Sequence, residues 1–301
     1  MSAANLLSPH FTDADKAREY LEALRWPNGV VCPHCGVIGD HYKLQGKATR
    51  PGLWKCKDCR KQFTVIVGTV FSDSKIPLNK WLLAVHLLCA SKKAMSSHQL
   101  HRMLGVTYKS AWFMTHRIRE AMKGENGGLM GSGGGVVEAD ETYWGNQGKQ
   151  PKGARGYQHK MKIVSLVERG GEKRSVVVSN VNAKTLRVVI EKNVSKSANL
   201  MTDEHSAYTK LGREFASHGV TVHSEGEYAR DNIHSNTVES SFSLLKRGLI
   251  GTFHHVGEQH LQRYVTEFDY RWNNRKITDK ERSDKLLTQV AGKRLTYKGP
   301  N

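Results

Sequence analysis

The sequence contains no run of eighteen apolar residues, so a bilayer-spanning helix is not expected among its 301 residues. Its start, Met1-Ser2-Ala3-Ala4-Asn5, has no basic stretch followed by an apolar block, so no secretory signal is expected. Acidic residues are scarce. The 28 Asp plus Glu are outnumbered by 46 Lys plus Arg, giving a formal charge of +18 and a pI near 9.7. No internal repeat is present. These absences predict a soluble intracellular chain, cytoplasmic and nucleoid-associated, with no membrane partner. A field of that sign attracts nucleic acid. Because the positive charge is spread through the chain, an extended contact is expected rather than a single basic tail.

Cysteine is also sparse, and four of the five residues fall in two pairs, Cys32-Pro33-His34-Cys35 and Cys56-Lys57-Asp58-Cys59, with twenty residues between them. Two such knuckles present four thiolates to one ion, so Cys32, Cys35, Cys56 and Cys59 predict one structural Zn²⁺ in a ribbon. A disulfide reading fits a reducing compartment poorly. A redox reading needs a single Cys-x-x-Cys in a βαβ setting. With the tetrahedron filled, His34 and His41 are bystanders. Cys89, alone in an apolar helical run, reads as a small core residue. The β-branched stretch from Gln62 to Phe71 reads as ribbon strands.

Residues 78 to 122 read as helices. Ser96 starts a short one ending at Leu104, Gly105-Val106-Thr107 makes a turn, and Thr107 caps a second helix from Tyr108 to Met122. Helix, short glycine-containing turn, helix is the arrangement of a helix-turn-helix. Lys109, Arg117 and Arg119 on the second helix are the candidate DNA contacts, and an ordinary αα-hairpin with a solvated basic face is the alternative. Residues 124 to 135 then hold seven glycines and read as a flexible linker.

Beyond the linker the pattern turns to strands, at Val136 to Trp144, Lys160 to Glu168 and Ser175 to Val181. A helix over Ala183 to Val194, a buried strand over Ala198 to Asp203, a short strand at Val220 to His223, and helices over Asn236 to Arg247 and Glu258 to Arg275 follow. Within this order stand Asp140, Asp203 and Glu239, at a strand end, a strand end and a helix start. Singly, each has a structural reading. Asp140 can bond a turn, Asp203 can cap the helix that follows, and Asn236-x-x-Glu239 fits a capping box. Jointly they read as a site for hard divalent cations, which take carboxylate oxygens and substrate phosphates. Two such ions clamp the attacking and leaving oxygens of a phosphoryl displacement. Glu138, on the face of Asp140, is an accessory or substitute ligand. Lys246, two turns beyond Glu239, is placed to meet a phosphate near that site, with Arg247 offset from it. Lys149, Lys152, Arg155, Lys160 and Lys162 are candidates for holding DNA beside it.

The element order is that of an RNase H-like fold. Together with Cys-Pro-His-Cys-Gly at 32–36, Trp-Lys-Cys-Lys-Asp-Cys-Arg-Lys-Gln-Phe at 54–63, Gly-Thr-Val-Phe at 68–71, Glu-Ala-Asp-Glu-Thr-Tyr at 138–143, Asp-Glu-His at 203–205, Asn-Thr-Val-Glu-Ser at 236–240, Leu-Leu-Lys-Arg-Gly at 244–248 and Glu-Phe-Asp-Tyr-Arg-Trp-Asn at 267–273, it resembles the bacterial insertion-sequence transposases of the Asp-Asp-Glu class with a zinc ribbon, the ISXO-like group. The resemblance implies an α/β protein whose mixed RNase H-like sheet, flanked by helices, follows a small ribbon and a helix-turn-helix-like segment. It implies Mg²⁺ or Mn²⁺ dependence, two ions held by Asp140, Asp203 and Glu239, and double-stranded DNA partners: terminal inverted repeats and a target. It leaves Lys246, His254 and His255 as accessory candidates. Joining two ends to one target requires a homodimer or larger assembly. A zinc-ribbon regulator without catalysis and a cleavage-only nuclease are the rival readings. The expected divisions are a helical segment at 1–27, the ribbon at 28–72, the helix-turn-helix-like segment at 73–123, the linker at 124–135, the catalytic domain at 136–275 and a loosely ordered basic tail at 276–301.

Overall fold

The computed structural model describes residues 6–124, 127–146 and 156–296; Lys149, Lys152 and Arg155 lie outside them. Two compact units form. One joins Met1–Met122 to Ile277–Asn301, and the other is Lys123–Lys276.

The first unit opens with α1 (Pro9–Thr12) and α2 (Ala14–Arg25), the latter capped by Asp13, whose side chain accepts from the Lys16 amide. The ribbon is a small antiparallel sheet of β1 (His41–Lys43), β2 (Trp54–Cys56) and β3 (Gln62–Phe63). The expected strand over 62–71 stops at Phe63. Beyond it, the Thr69 and Ser72 hydroxyls both donate to the Ile66 carbonyl, at 2.6 and 2.9 Å. That closes turns which send Val65, Val70 and Phe71 into the core. Three helices follow: α3 (Leu78–Ala90), α4 (Ser97–Leu104) and α5 (Tyr108–Ala121). α3 buries Trp81, Leu82, Ala84, Val85, Leu88 and Cys89. Ser96 and Thr107 cap α4 and α5 as expected, and Gly105 stands between them in the left-handed region, φ 58°.

In the second unit, β4 (Val136–Trp144), β5 (Met161–Glu168), β6 (Lys173–Val178), β7 (Asn199–Asp203) and β8 (Ser217–Thr221) make one sheet in the order β6-β5-β4-β7-β8. β4, β5 and β6 are antiparallel neighbours; β7 is parallel to β4 and β8 to β7. This is an RNase H-like mixed sheet. α6 (Ala183–Asn193) and α7 (Ser206–Gly212) cover one face, burying Leu186, Ile190, Tyr208 and Leu211 on Val137, Ala139, Val164, Leu166 and Leu200. A hairpin of β9 (Ala229–Arg230) and β10 (Ile233–His234) leads to α8 (Asn236–Gly248), which runs into a π-helical turn at Leu249–Phe253 and then α9 (Glu258–Asn273). On the opposite face Val167 packs with Val238 and Phe242 of α8.

β6 is an edge strand, and α9 supplies it with hydrogen-bond partners. Gln262 accepts from the Val177 amide at 2.8 Å and donates to the Ser175 carbonyl at 3.1 Å. Asp269 accepts from the Ser175 amide at 2.7 Å, and Asn273 bonds both backbone groups of Lys173. Asp269 and Asn273 stand seven and eleven positions from Gln262, so the three share one helix face. The Lys173 ammonium is buried 3.5 Å from Asp269.

Two expectations are corrected. Residues 127–135 are not a linker but part of the second unit. Met130 is buried and bridges to the chain at Val194, and the Gly131 amide donates to Glu168 at 2.9 Å. A Cβ at Gly131 would stand 2.5 Å from that of Ala198, so glycine serves a close approach here. Nor are residues 276–296 a loose tail. Asp279–Thr288 forms α10, started by a full capping box of Thr278 and Glu281. Leu286, Leu287 and Val290 are buried, and the Tyr20 hydroxyl donates to Asp284 at 2.6 Å. Gly292 donates back to the Gly68 carbonyl at 2.9 Å.

Candidate active site and zinc centre

Asp140 and Asp203 lie on neighbouring parallel strands. The pairing of β4 with β7 runs to Glu138 opposite Met201, and each aspartate stands two residues beyond, on the same face of the pleat. Apolar strand interiors fix this. Val137, Ala139 and Leu200 take the buried face under α6 and α7, so the alternate residues emerge on the other side. Burial, then the charges of Asp203, Glu141 and Glu239, push the Asp140 carboxyl up to about 8, against a 2.7 Å hydrogen bond from the Glu141 amide. Asp203 accepts from the His205 amide at 3.1 Å. The three acids therefore share one electrostatic site.

Glu239 reaches that site because it is not a cap. The cap position of α8 is Ser235, not Asn236. The amides at the helix start are met instead by Glu138, whose carboxylate accepts from Thr237 N at 2.8 Å, Val238 N at 2.9 Å and the Thr237 hydroxyl at 2.8 Å. Glu138 is fully buried and is also paired with Arg169 at 2.7 Å. Arg169 in turn donates to the carbonyls of Asn232 and His234. Glu138 is thus a clamp between β4, the hairpin and α8 rather than a substitute metal ligand, because its oxygens are occupied. Glu239 receives the Ser235 hydroxyl on Oε1 at 2.8 Å and has His223 Nε2 at 3.5 Å from the same oxygen.

His223 and Glu141 were not singled out by sequence reasoning. Glu141 points to the far face, where the Tyr208 hydroxyl donates to it at 2.7 Å and His205 Nε2 lies 4.0 Å away. Burial raises its pKa, against the Tyr208 hydrogen bond. Strand alternation signalled its side, but nothing local signalled its partner. His223 is brought in by a loop whose spacing from Glu239 carries no periodic signal. Lys246 is partly buried and Arg247 exposed on the last turn of α8; His254 and His255 are exposed in the turn beyond Phe253.

The four ribbon cysteines are brought together as expected. Their ligand atoms all lie within 4.8 Å of one another, the one such cluster of three or more His, Cys, Asp or Glu among the described residues. Cys32 to Cys59 and Cys35 to Cys56 are each 3.7 Å between sulfurs. That is close to the roughly 3.8 Å edge of a tetrahedron with Zn–S bonds of about 2.3 Å. The quartet fits one zinc.

Of the predicted DNA contacts, Lys109 is exposed at the start of α5 and Lys160 partly exposed, with its ammonium 3.0 Å from Asn146. Arg117 and Arg119 are corrected. Both are buried, Arg117 donating to the Ser72 carbonyl and lying over the Trp81 and Phe113 rings, Arg119 donating to Thr115. They hold the helical core together instead of facing solvent. Lys162 is likewise buried, capping the carbonyls of Gln158 and Lys160. Arg102, Met103, Gly105, Thr107, Tyr108 and Lys109 are exposed around the turn between α4 and α5.

Comparison with known proteins bears on both centres. A family model described as the ISXO2-like transposase domain matches residues 133–273, which hold all three acids. A second, described as the transposase zinc-ribbon domain, matches residues 12–62, which hold all four cysteines. A relative from Halobacterium salinarum, described as an uncharacterized protein in transposable element ISH50, is 30% identical over 282 residues, covering 87% of this chain and 91% of that protein. The chain belongs to the ISXO2-like transposase family. In this transposase no helix of the described residues is long and apolar enough to cross a membrane.

Proposed function

We propose that this transposase binds double-stranded DNA at the terminal inverted repeats of an insertion sequence and catalyses divalent-metal-dependent strand cleavage and transfer to a target. The observation that carries the reading is the placement of Asp140 and Asp203 on one face at the ends of adjacent parallel strands, where burial, and then the charges of the neighbouring acids with Glu239 among them, pushes the Asp140 carboxyl up to about 8. An all-oxygen anionic donor set of this kind fits Mg²⁺ or Mn²⁺. Asp140 and Asp203 would hold ions from the sheet and Glu239 from α8. The three carboxylates do not all lie within 4.8 Å of one another, and two ions would need a wider donor set than one. Bound ions supply Lewis-acid stabilisation of the phosphoryl oxygens and a more acidic attacking hydroxyl or water. Among the chain's own residues, Glu138 and Arg169 fix the start of α8 so that Glu239 faces the strand ends, and Lys246 is offered as a phosphate contact. The zinc ribbon and the α4–α5 turn are proposed to recognise the DNA, with Lys109, Lys160 and Arg247 as further contacts. Two ends joined to one target require at least a dimer.

The test uses a plasmid carrying the reading frame with its flanking DNA. Asp140→Asn, Asp203→Asn and Glu239→Gln are each expected to keep gel-shift binding of the ends while cleavage with Mg²⁺ falls by roughly 1000-fold. Wild-type cleavage by any one of them removes that residue from the assignment.

A further inference from the structure

Beside Glu239 the surface carries a feature that metal chemistry does not use. His223, 3.5 Å from Glu239, is stacked on Tyr228 with ring centroids 5.4 Å apart and planes 29° from parallel. Tyr228 is 63% exposed, so one face of the pair is turned to solvent. The loop bearing them is held in place. Glu204 accepts the amides of His223 and Ser224 at 2.9 and 3.0 Å, and Glu227 N bonds back to the Val222 carbonyl at 3.1 Å. Gly226 makes the turn at φ 79°. On the far side, Ile233 of β10 packs against Gly219 so closely that a Cβ there would meet it at 2.9 Å. Arg230, exposed, lies on the same hairpin and is paired with Glu227 at 3.3 Å.

We infer that the His223–Tyr228 stack is a platform for an unpaired nucleobase next to the phosphate handled at Asp140, Asp203 and Glu239. The inference rests on the proposed function. An exposed aromatic on a preorganised loop loses little freedom when a flat ligand covers it. Every base offers a π-face for stacking, irrespective of sequence. Inside a duplex those faces are covered by neighbouring base pairs, so the platform takes a base at a strand end or one drawn out of the helix. The neighbouring Arg230 suits the backbone that accompanies such a base.

The experiment uses the full zinc-loaded chain and two DNA probes of the same sequence. One is a blunt duplex, and the other a duplex with a 3′ overhang carrying 5-iododeoxyuridine at its first unpaired position. Irradiation followed by peptide mapping is expected to give an adduct at Tyr228 or His223 from the overhang probe. Tyr228→Ala is expected to weaken overhang binding by about 5- to 150-fold, with blunt-duplex binding unchanged. Tyr228→Phe keeps the stacking and is expected to bind as wild type. Adducts confined to other residues, or an equal loss on both probes, overturn the platform. Asp140→Asn keeps the adduct if both readings hold. An adduct from a wild-type protein that shows no metal-dependent cleavage of the plasmid would keep the platform and remove the metal reading.

Discussion

At Asp140 a carboxyl that titrates near 8 in the folded chain titrates near 3.8 without the fold. A raised pKa means that the folded state holds a proton the unfolded state has released. The resulting stability is fully present below about pH 4 and is lost as pH rises through about 8. The metal-free protein is therefore expected to lose stability between about pH 4 and about pH 8, on the order of a few kcal/mol, relative to Asp140→Asn. Denaturation of both proteins in chelator across that range checks it, and parallel curves would refute it. Added Mn²⁺ is expected to narrow the gap by stabilising the wild type. The strands that carry Asp140 and Asp203 were legible in the sequence because apolar runs end at these residues. The release of Glu239 from the capping box was not. The group that satisfies the helix amides, Glu138, lies about a hundred residues earlier, and no local spacing reports it.

Among the elements, α9 does what a sixth strand would do for the sheet. By bonding the outer groups of β6 it removes a template for edge pairing with another chain. Asn273→Ala leaves the amide and carbonyl of Lys173 unpaired and is expected to cost about 1–3 kcal/mol. Asp269→Ala strands the buried Lys173 ammonium as well and is expected to cost about 3–5 kcal/mol. Urea unfolding measures both. A neutral result for Asp269→Ala would show that the buried pair is not needed. Element order was legible in the second unit apart from the β9–β10 hairpin, since β4, α6, α8 and α9 begin and end at changes of apolar period, while the strand expected at Val220 to His223 begins earlier, at Ser217. Where polar side chains close turns, as at Thr69 and Ser72, β-branched composition misled. Basic residues on α5 also misled: Lys109 stayed outside, while Arg117 and Arg119 turned inward to carbonyls, hydroxyls and aromatic rings.

For the molecule as a whole, the informative fact is that the first unit is assembled from both halves of the chain, with Lys123–Lys276 inserted between them. α10 lends it Leu286 and Leu287, and the segment after α10 pairs with residues 68–70 beside the ribbon. A chain ended at Lys276 is expected to keep the melting transition of the second unit and lose that of the first by several kcal/mol. Calorimetry with and without zinc separates the two transitions, and an unchanged first transition would contradict the shared core. The same connectivity orders events in time. A ribosome delivers the second unit entire before Ile277 emerges, so the sheet that carries Asp140 and Asp203 can be finished while the unit with the four cysteines still waits for its last helix. A message cut short would then yield the three acids on a finished sheet beside four cysteines in an unfinished unit, and only full synthesis completes both.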